Sequence, residues 1–203
     1  MDGAPAFDTP ALVGPNAVVQ LANALQDAFG PTKARSFFEQ LGYERLFDDP
    51  PEAMIDQNIA ALLLRALWDA LPLEMASSIA GQAGLRTADY ILAHRIPKAA
   101  QFALRIAPPR ISANLLLTAI RKHAWTFSGS GVCETARKPV HLISIRANPL
   151  AMPECAWHVA VFDRLFSTLV SRAATVRHVA CCRDGEASCR FEIELSKRQR
   201  EPR

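Results

Sequence analysis

Four of the chain's five cysteines fall in its last third, and together with one histidine they limit how that third can fold. Cys155 stands alone. It is followed by His178-x-x-Cys181-Cys182-Arg-Asp-Gly185-Glu-Ala-Ser-Cys189-Arg-Phe191. Gly185 marks a turn between Cys181 and Cys189, so the chain reverses there and carries one thiol back towards the other. Thiolate sulfur and imidazole nitrogen are the donors that Zn²⁺ takes at tetrahedral angles, and a turn between two strands can assemble them. The spacing selects Cys155, His178, Cys181 and Cys189 as a four-ligand set, although it lacks the doubled Cys-x-x-Cys of a zinc ribbon. Two other fates stay open for these thiols: filling a core, or forming a disulfide. The disulfide conflicts with the expected compartment. Met1-Asp-Gly-Ala-Pro-Ala-Phe-Asp puts acid and proline where a signal peptide needs basic and then apolar residues. A cytoplasmic location is therefore expected, where thiols stay reduced.

The rest of the chain divides near residue 122. Before it, apolar residues recur at helical spacing between proline and glycine breaks. The pattern predicts helices over Pro15 to Phe29, Thr32 to Leu41, Glu52 to Leu71, Leu73 to Ala83, Thr87 to Arg95, Pro97 to Ala107 and Arg110 to His123. The last two form a pair across Pro108-Pro109. After His123 the pattern turns to strands: Trp125 to Ser128 alternates, Gly129-Ser-Gly131 reads as a bend, and Val132 to Thr135 continues. His141 to Arg146 is a further strand. Cys155 to Arg172 returns to helix, and Thr175 to Cys182 with Ser188 to Leu195 makes a hairpin around Gly185. The fold class is α+β: a helical N-terminal half packed on a mostly antiparallel sheet, with one long helix inserted between strand pairs.

With 50% hydrophobic and 21% charged residues the chain is globular in composition. Its formal net charge of +3 owes much to Lys197, Arg198, Arg200 and Arg203. No aromatic residues interleave with that run, and no nucleic-acid-binding motif occurs. No apolar stretch reaches the length of a membrane span; Ile59 to Leu64 already meets Arg65.

The segment Cys181-x-x-x-Gly185-x-x-x-Cys189-Arg-Phe-Glu-Ile193, with Asn148-Pro149-Leu150 upstream and Cys155 opening a helix, resembles the vinyl-4-reductase domain. That small-molecule-binding domain also occurs in phenol-sensing transcriptional activators. Arg121-Lys-His-Ala-Trp-Thr-Phe-Ser-Gly-Ser-Gly131 and Cys155-Ala-Trp-His-Val-Ala-Val-Phe-Asp-Arg-Leu-Phe166 narrow the likeness. They resemble the BchJ-type family of bacteriochlorophyll biosynthesis, first assigned as 4-vinyl protochlorophyllide reductases. The resemblance implies a helical region over 1–110, a ligand-binding domain over 111–196 and a basic tail over 197–203. In the phenol-sensing relatives three cysteines and a glutamate hold a structural zinc. Cys155, Cys181 and Cys189 match those cysteines, and His178 stands where the glutamate does. On a regular strand His178 and Cys181 would face opposite sides, so the set requires a bulge between them. Cys133 and Cys182 are left as spare thiols.

A vinyl reductase must also hold an electron donor. The sequence has no Gly-x-Gly-x-x-Gly between strand and helix, no cysteine array for an iron–sulfur cluster and no recognisable flavin site. The expected function is therefore binding of a protochlorophyllide or Mg-porphyrin as a carrier or accessory protein. A 4-vinyl reductase is the alternative, and a small aromatic-ligand sensor a second one. The Mg-tetrapyrrole would be ligand rather than cofactor. Pathway enzymes and a second copy of the chain are the partners the resemblance leaves open, and peripheral contact with the photosynthetic membrane is compatible with it. A flat apolar disc with a carboxylate edge calls for aromatic walls and basic groups. Trp125, Phe127, Trp157, Phe162 and Phe166 are the candidate walls, Arg121 and Lys122 the candidate cations, and His123 and His158 the candidate axial ligands. The competing reading makes the aromatic stripe core and His158 a core histidine.

Overall fold

The helical half is built from aliphatic stripes that close on one another. A computed structural model describes residues 11–195. In α1 (Asn16–Phe29), Val18, Leu21, Ala22 and Leu25 are buried. In α4 (Gln57–Ala70), Ala60, Leu63, Leu64 and Leu67 are buried. Between them lie α2 (Pro31–Gln40) and the short α3 (Glu44–Asp48). The N-terminus of α4 departs from the sequence reading. Ile55–Asp56 (β2) pairs antiparallel with Leu12–Val13 (β1), and the helix starts after them. Asp56 sets that start, because its carboxylate accepts from the Asn58 N–H at 2.7 Å and caps the first turn.

A second departure concerns α5 (Leu73–His94), which is one helix and not two. Gly84 looks like a helix terminator in the sequence. It is instead the place where α5 presses on α9 (Ala156–Leu169): a Cβ there would lie 2.4 Å from the Trp157 carbonyl oxygen. A glycine demanded by close approach leaves the helix intact. Beyond α5 follow α6 (Lys98–Ile106) and α7 (Pro109–Lys122), joined across Pro108 and tied by the Ser112 hydroxyl, which donates to the Leu104 carbonyl at 2.6 Å.

The expected strand over Trp125 to Ser128 is a helical turn, α8. The Phe127 and Ser128 N–H groups donate to the Ala124 carbonyl, and the Thr126 hydroxyl donates to the His123 carbonyl. The chain thus continues the course of α7 for one more turn before the sheet begins. Four alternating residues are too few to separate the two periodicities.

The sheet runs β3 (Val132–Ala136), β4 (His141–Arg146), β6 (Ser188–Glu194), β5 (Thr175–Ala180), antiparallel throughout. Its inward positions follow the period of two: Ile143 and Ile145 on β4, and Cys189, Phe191 and Ile193 on β6, are all buried. Helix α9 covers that face with Val161, Phe162, Leu165 and Phe166 and packs its other side on α5. The result is a helical layer, a central helix and a four-stranded sheet, an α+β arrangement. Among the described residues no helix is long and apolar enough to cross a membrane. The basic tail expected over 197–203 lies outside the described residues.

Candidate functional site

Cys155, His178, Cys181 and Cys189 meet where the start of α9 touches the β5–β6 hairpin, and each arrives by a local backbone device. Cys155 ends a 3-10 turn, Pro153–Cys155, in which Glu154 and Cys155 adopt left-handed conformations, φ 57° and 45°. Such conformations are costly for residues with a Cβ and persist where the surroundings fix them. The fixing groups are at hand. Arg65 on α4 donates to the carbonyls of Pro149 at 2.6 Å and Ala151 at 3.0 Å, and the Asn148 side chain accepts from the Leu150 N–H at 3.1 Å.

On β5 the required bulge is present. His178 pairs with Phe191 and Ala180 with Arg190, which leaves Val179 as an extra residue. That insertion turns the three-residue separation of His178 and Cys181 into an even one, so both face inwards. Cys181 then enters a turn closed by Gly185 at φ 89°, with the Glu186 N–H donating back to the Cys181 carbonyl at 3.2 Å. The turn delivers Cys189 to the inner face of β6.

The three sulfurs stand 3.6 Å (Cys155 to Cys181), 3.5 Å (Cys155 to Cys189) and 3.9 Å (Cys181 to Cys189) apart. With one histidine nitrogen, the four donor atoms all lie within 4.8 Å of one another. Sulfurs held about 2.3 Å from a tetrahedral ion are separated by about 3.8 Å, so this triangle has the size a zinc ion needs. It is too wide for a disulfide, and all five cysteines are free. His178 Nε2 is buried without a hydrogen-bond partner. That atom and the clustered sulfurs are the unsatisfied groups a metal would take up, so the residues fit zinc.

The protonation pattern agrees. The Cys155 thiol donates to the Cys189 sulfur, and this hydrogen bond with burial pushes the Cys155 thiol up. The same bond, with His178 and the Cys182 N–H beside it, holds Cys189 down at about 3. Cys189 is the thiolate of the group, while burial raises Cys181. Cys182 turns away and faces the Ile145 carbonyl at 3.8 Å.

The other candidate residues are divided by the structure. Trp157, Phe162 and Phe166 are buried between α9 and its neighbours, and Phe127 is half-buried against Phe162 at 5.8 Å between ring centroids. Trp125 is 57% exposed. Arg121, Lys122 and His123 are exposed at the end of α7. His158 is fully buried, stacked on Phe191 at 5.7 Å, and both its ring nitrogens lack a partner. Burial lowers its pKa to about 4, so the ring is neutral. Asp163, Arg164 and His158 go separate ways: Asp163 accepts from the Val176 N–H at 2.9 Å, and Arg164 pairs with Asp89.

A groove of about 620 Å³ lies beside the cysteine cluster and shares His178 with it. Its floor comes from small residues of α5 and α9: Ser77, Ser78, Gly81, Ala156 and Ala160. Arg177 and Glu154 also line it. The aromatic candidates do not line this groove. Sequence reasoning missed the groove and also Arg65, whose one signal was a guanidinium following an apolar helical run.

Residues 146–195 match the family model of the vinyl-4-reductase domain. Over 89% of its length, and 89% of the relative's, the chain is 42% identical to the bacteriochlorophyll synthase 23 kDa chain of Cereibacter sphaeroides. It is 36% identical to the bacteriochlorophyll synthase 23 kDa chain of Rhodobacter capsulatus, over 94% of this chain and 90% of that one.

Proposed function

The chain belongs to the family of the bacteriochlorophyll synthase 23 kDa chains, and on that premise we propose that it binds a cyclic tetrapyrrole of bacteriochlorophyll biosynthesis as a carrier or accessory protein. What carries this reading, beyond the family, is the groove between α5, α9 and β5. Its volume of about 620 Å³ falls in the range of small-molecule sites. A floor of serine, glycine and alanine lets a flat macrocycle lie close to both helices. Arg177 at the rim, now paired with Glu192, is the cation for a carboxylate edge.

Cys155, His178, Cys181 and Cys189 would hold a zinc ion, which when bound by all four supplies a structural cross-link and no open position for chemistry. These residues tie the start of α9 to the β5–β6 hairpin, and both elements line the groove. His178 belongs to the cluster and to the groove wall alike, so the order of the cluster bears directly on the shape of the site.

Titration with protochlorophyllide or Mg-protoporphyrin tests the reading. Saturable sharpening of the Soret band and quenching of tryptophan emission are expected. A Cβ on Gly81 would meet nothing within 4 Å, so Gly81→Phe fills the groove without disturbing the fold. It should weaken binding by about tenfold or more, the size of effect expected when ring-sized volume is lost from a site. If Trp125→Ala weakens binding and Gly81→Phe does not, the pigment sits on the aromatic side. No saturable change in the parent removes the reading altogether. Conversion of divinyl protochlorophyllide by the protein and NADPH alone would replace it with a vinyl reductase.

A further inference from the structure

Helix α6 is packed inside out. Its one buried side chain is Gln101, whose amide donates to the carbonyls of Leu92 at 2.6 Å and Ile96 at 2.8 Å. Its apolar pair at i, i+4 faces solvent instead, with Phe102 65% and Ile106 69% exposed. Helix α7 repeats the pattern across the Pro108 turn: Ile111 and Leu115, again at i, i+4, are both more than half exposed. Ile106 and Ile111 flank the turn, so the two pairs meet there as one apolar ridge. Scattered exposed leucines are ordinary, but four large apolar residues at helical spacing on adjoining helices form a patch that calls for a partner.

The charge around the ridge says which kind. No acidic residue occurs between Asp89 and Glu134, whereas Arg95, Lys98, Arg105, Arg110, Arg121 and Lys122 fall inside that run. Among the described residues Lys98, Arg110, Arg121 and Lys122 make no salt bridge. An apolar ridge set in uncompensated positive charge matches an anionic bilayer surface, which offers acyl chains to the ridge and phosphates to the cations. A protein partner of mixed surface charge would leave those cations unmatched.

We propose that α6 and α7 dock this protein on anionic lipid, with Phe102, Ile106, Ile111 and Leu115 entering the interface. The docking face lies on helices that contribute nothing to the groove, so it operates whether or not a tetrapyrrole binds there.

The test is co-sedimentation of the full chain with vesicles of phosphatidylcholine alone, and with about one third phosphatidylglycerol added. At about 0.1 M salt, binding to the anionic vesicles should exceed that to neutral ones by about tenfold or more, and should fall as salt rises. Phe102→Asp with Ile111→Asp should remove it. Because both side chains are exposed, the double variant should melt with the parent. Lys98→Glu with Arg110→Glu should weaken binding by about tenfold without touching the apolar ridge. Equal partition onto neutral vesicles, no binding to either, or parental binding by both double variants would overturn the proposal. So would a parent that sediments as a dimer and becomes monomeric in the Phe102 and Ile111 variant, since the ridge would then be a contact between two copies.

Discussion

The helical layer and the sheet layer bury their side chains under different rules. In α1 and α4 the core is aliphatic: Leu21, Leu25, Leu63, Leu64 and Leu67 are at most 1% exposed, and none carries a polar atom. Between α9 and the sheet, Phe162, Phe166 and Phe191 share the interior with three thiols and two imidazoles. There the His178 Nε2 atom and both nitrogens of His158 have no partner. An unsatisfied buried polar group costs about 1–3 kcal/mol. The helical layer is finished by packing alone, whereas the sheet layer holds groups that packing cannot satisfy. Chemistry is to be sought in the second layer, and the loss of one residue should have different consequences in each.

The sharpest break between them is at the cysteines. Cys189→Ser removes the thiolate that the other three donors surround. Protein purified without chelator should carry about one zinc per chain, and the variant close to none, as measured by elemental analysis. Because binding of a structural zinc is folding free energy of about 10 kcal/mol or more, the parent treated with chelator and the variant should both lose most of their stability. A parent whose melting is indifferent to chelator would show that these thiols only fill a core.

In the aliphatic layer the expected change is smaller and of another kind. Leu64 is fully buried, and Leu64→Ala should cost about 3 kcal/mol by denaturant titration while the metal content stays at the parental value. If it also sheds metal, the two layers are not separable.

The two layers were also unequally legible. Aliphatic stripes at helical period carried α1, α2, α4 and α7 to within a few residues of their ends, because one face of each is buried throughout. The errors fall where a residue answers to something distant. Gly84 ends no helix because Trp157 of α9 lies against it, and Ile55 joins no helix because Leu12 and Val13 pair with its strand. In the sheet layer the ligand spacing and the need for a bulge could be read, since an odd separation of His178 and Cys181 cannot serve one face of a regular strand. Which residue bulges could not, because register depends on β6. Nor could Arg65, which acts on a loop more than eighty positions away. The groove is assembled from α5, α9 and β5, and no local pattern announces it.

His158 sharpens the comparison through pH. Its folded-state pKa is lowered to about 4 by burial, against about 6.5 in an unfolded chain. Between those values the unfolded chain binds the proton more readily, so stability falls as pH drops through 6.5 and continues to fall towards 4. From pH 7 to pH 5 this one ring should cost about 2 kcal/mol. His158→Phe keeps a ring against Phe191 and removes the titration. Measured alongside the parent, it should lose about 2 kcal/mol less over that interval, the metal ligands contributing equally to both. Parallel pH profiles would mean that the imidazole is hydrated or partnered in solution.

The smallest effect is expected at Trp125, the residue on which the two readings of the chain differ most. An alternating Trp125-Thr-Phe127-Ser strand would turn both rings to one face and pack them. The helical turn instead leaves Trp125 57% exposed, while Phe127 leans on Phe162. Trp125→Ala should therefore change stability by no more than about 0.5 kcal/mol. The chain has three tryptophans, and of these Trp157 is buried and Trp68 half-buried. Removing Trp125 takes away the water-facing fluorophore, so the emission maximum should move to shorter wavelength as intensity falls. A loss of more than about 1 kcal/mol, with no change in emission maximum, would place Trp125 in a packed interior and return residues 125–128 to the sheet.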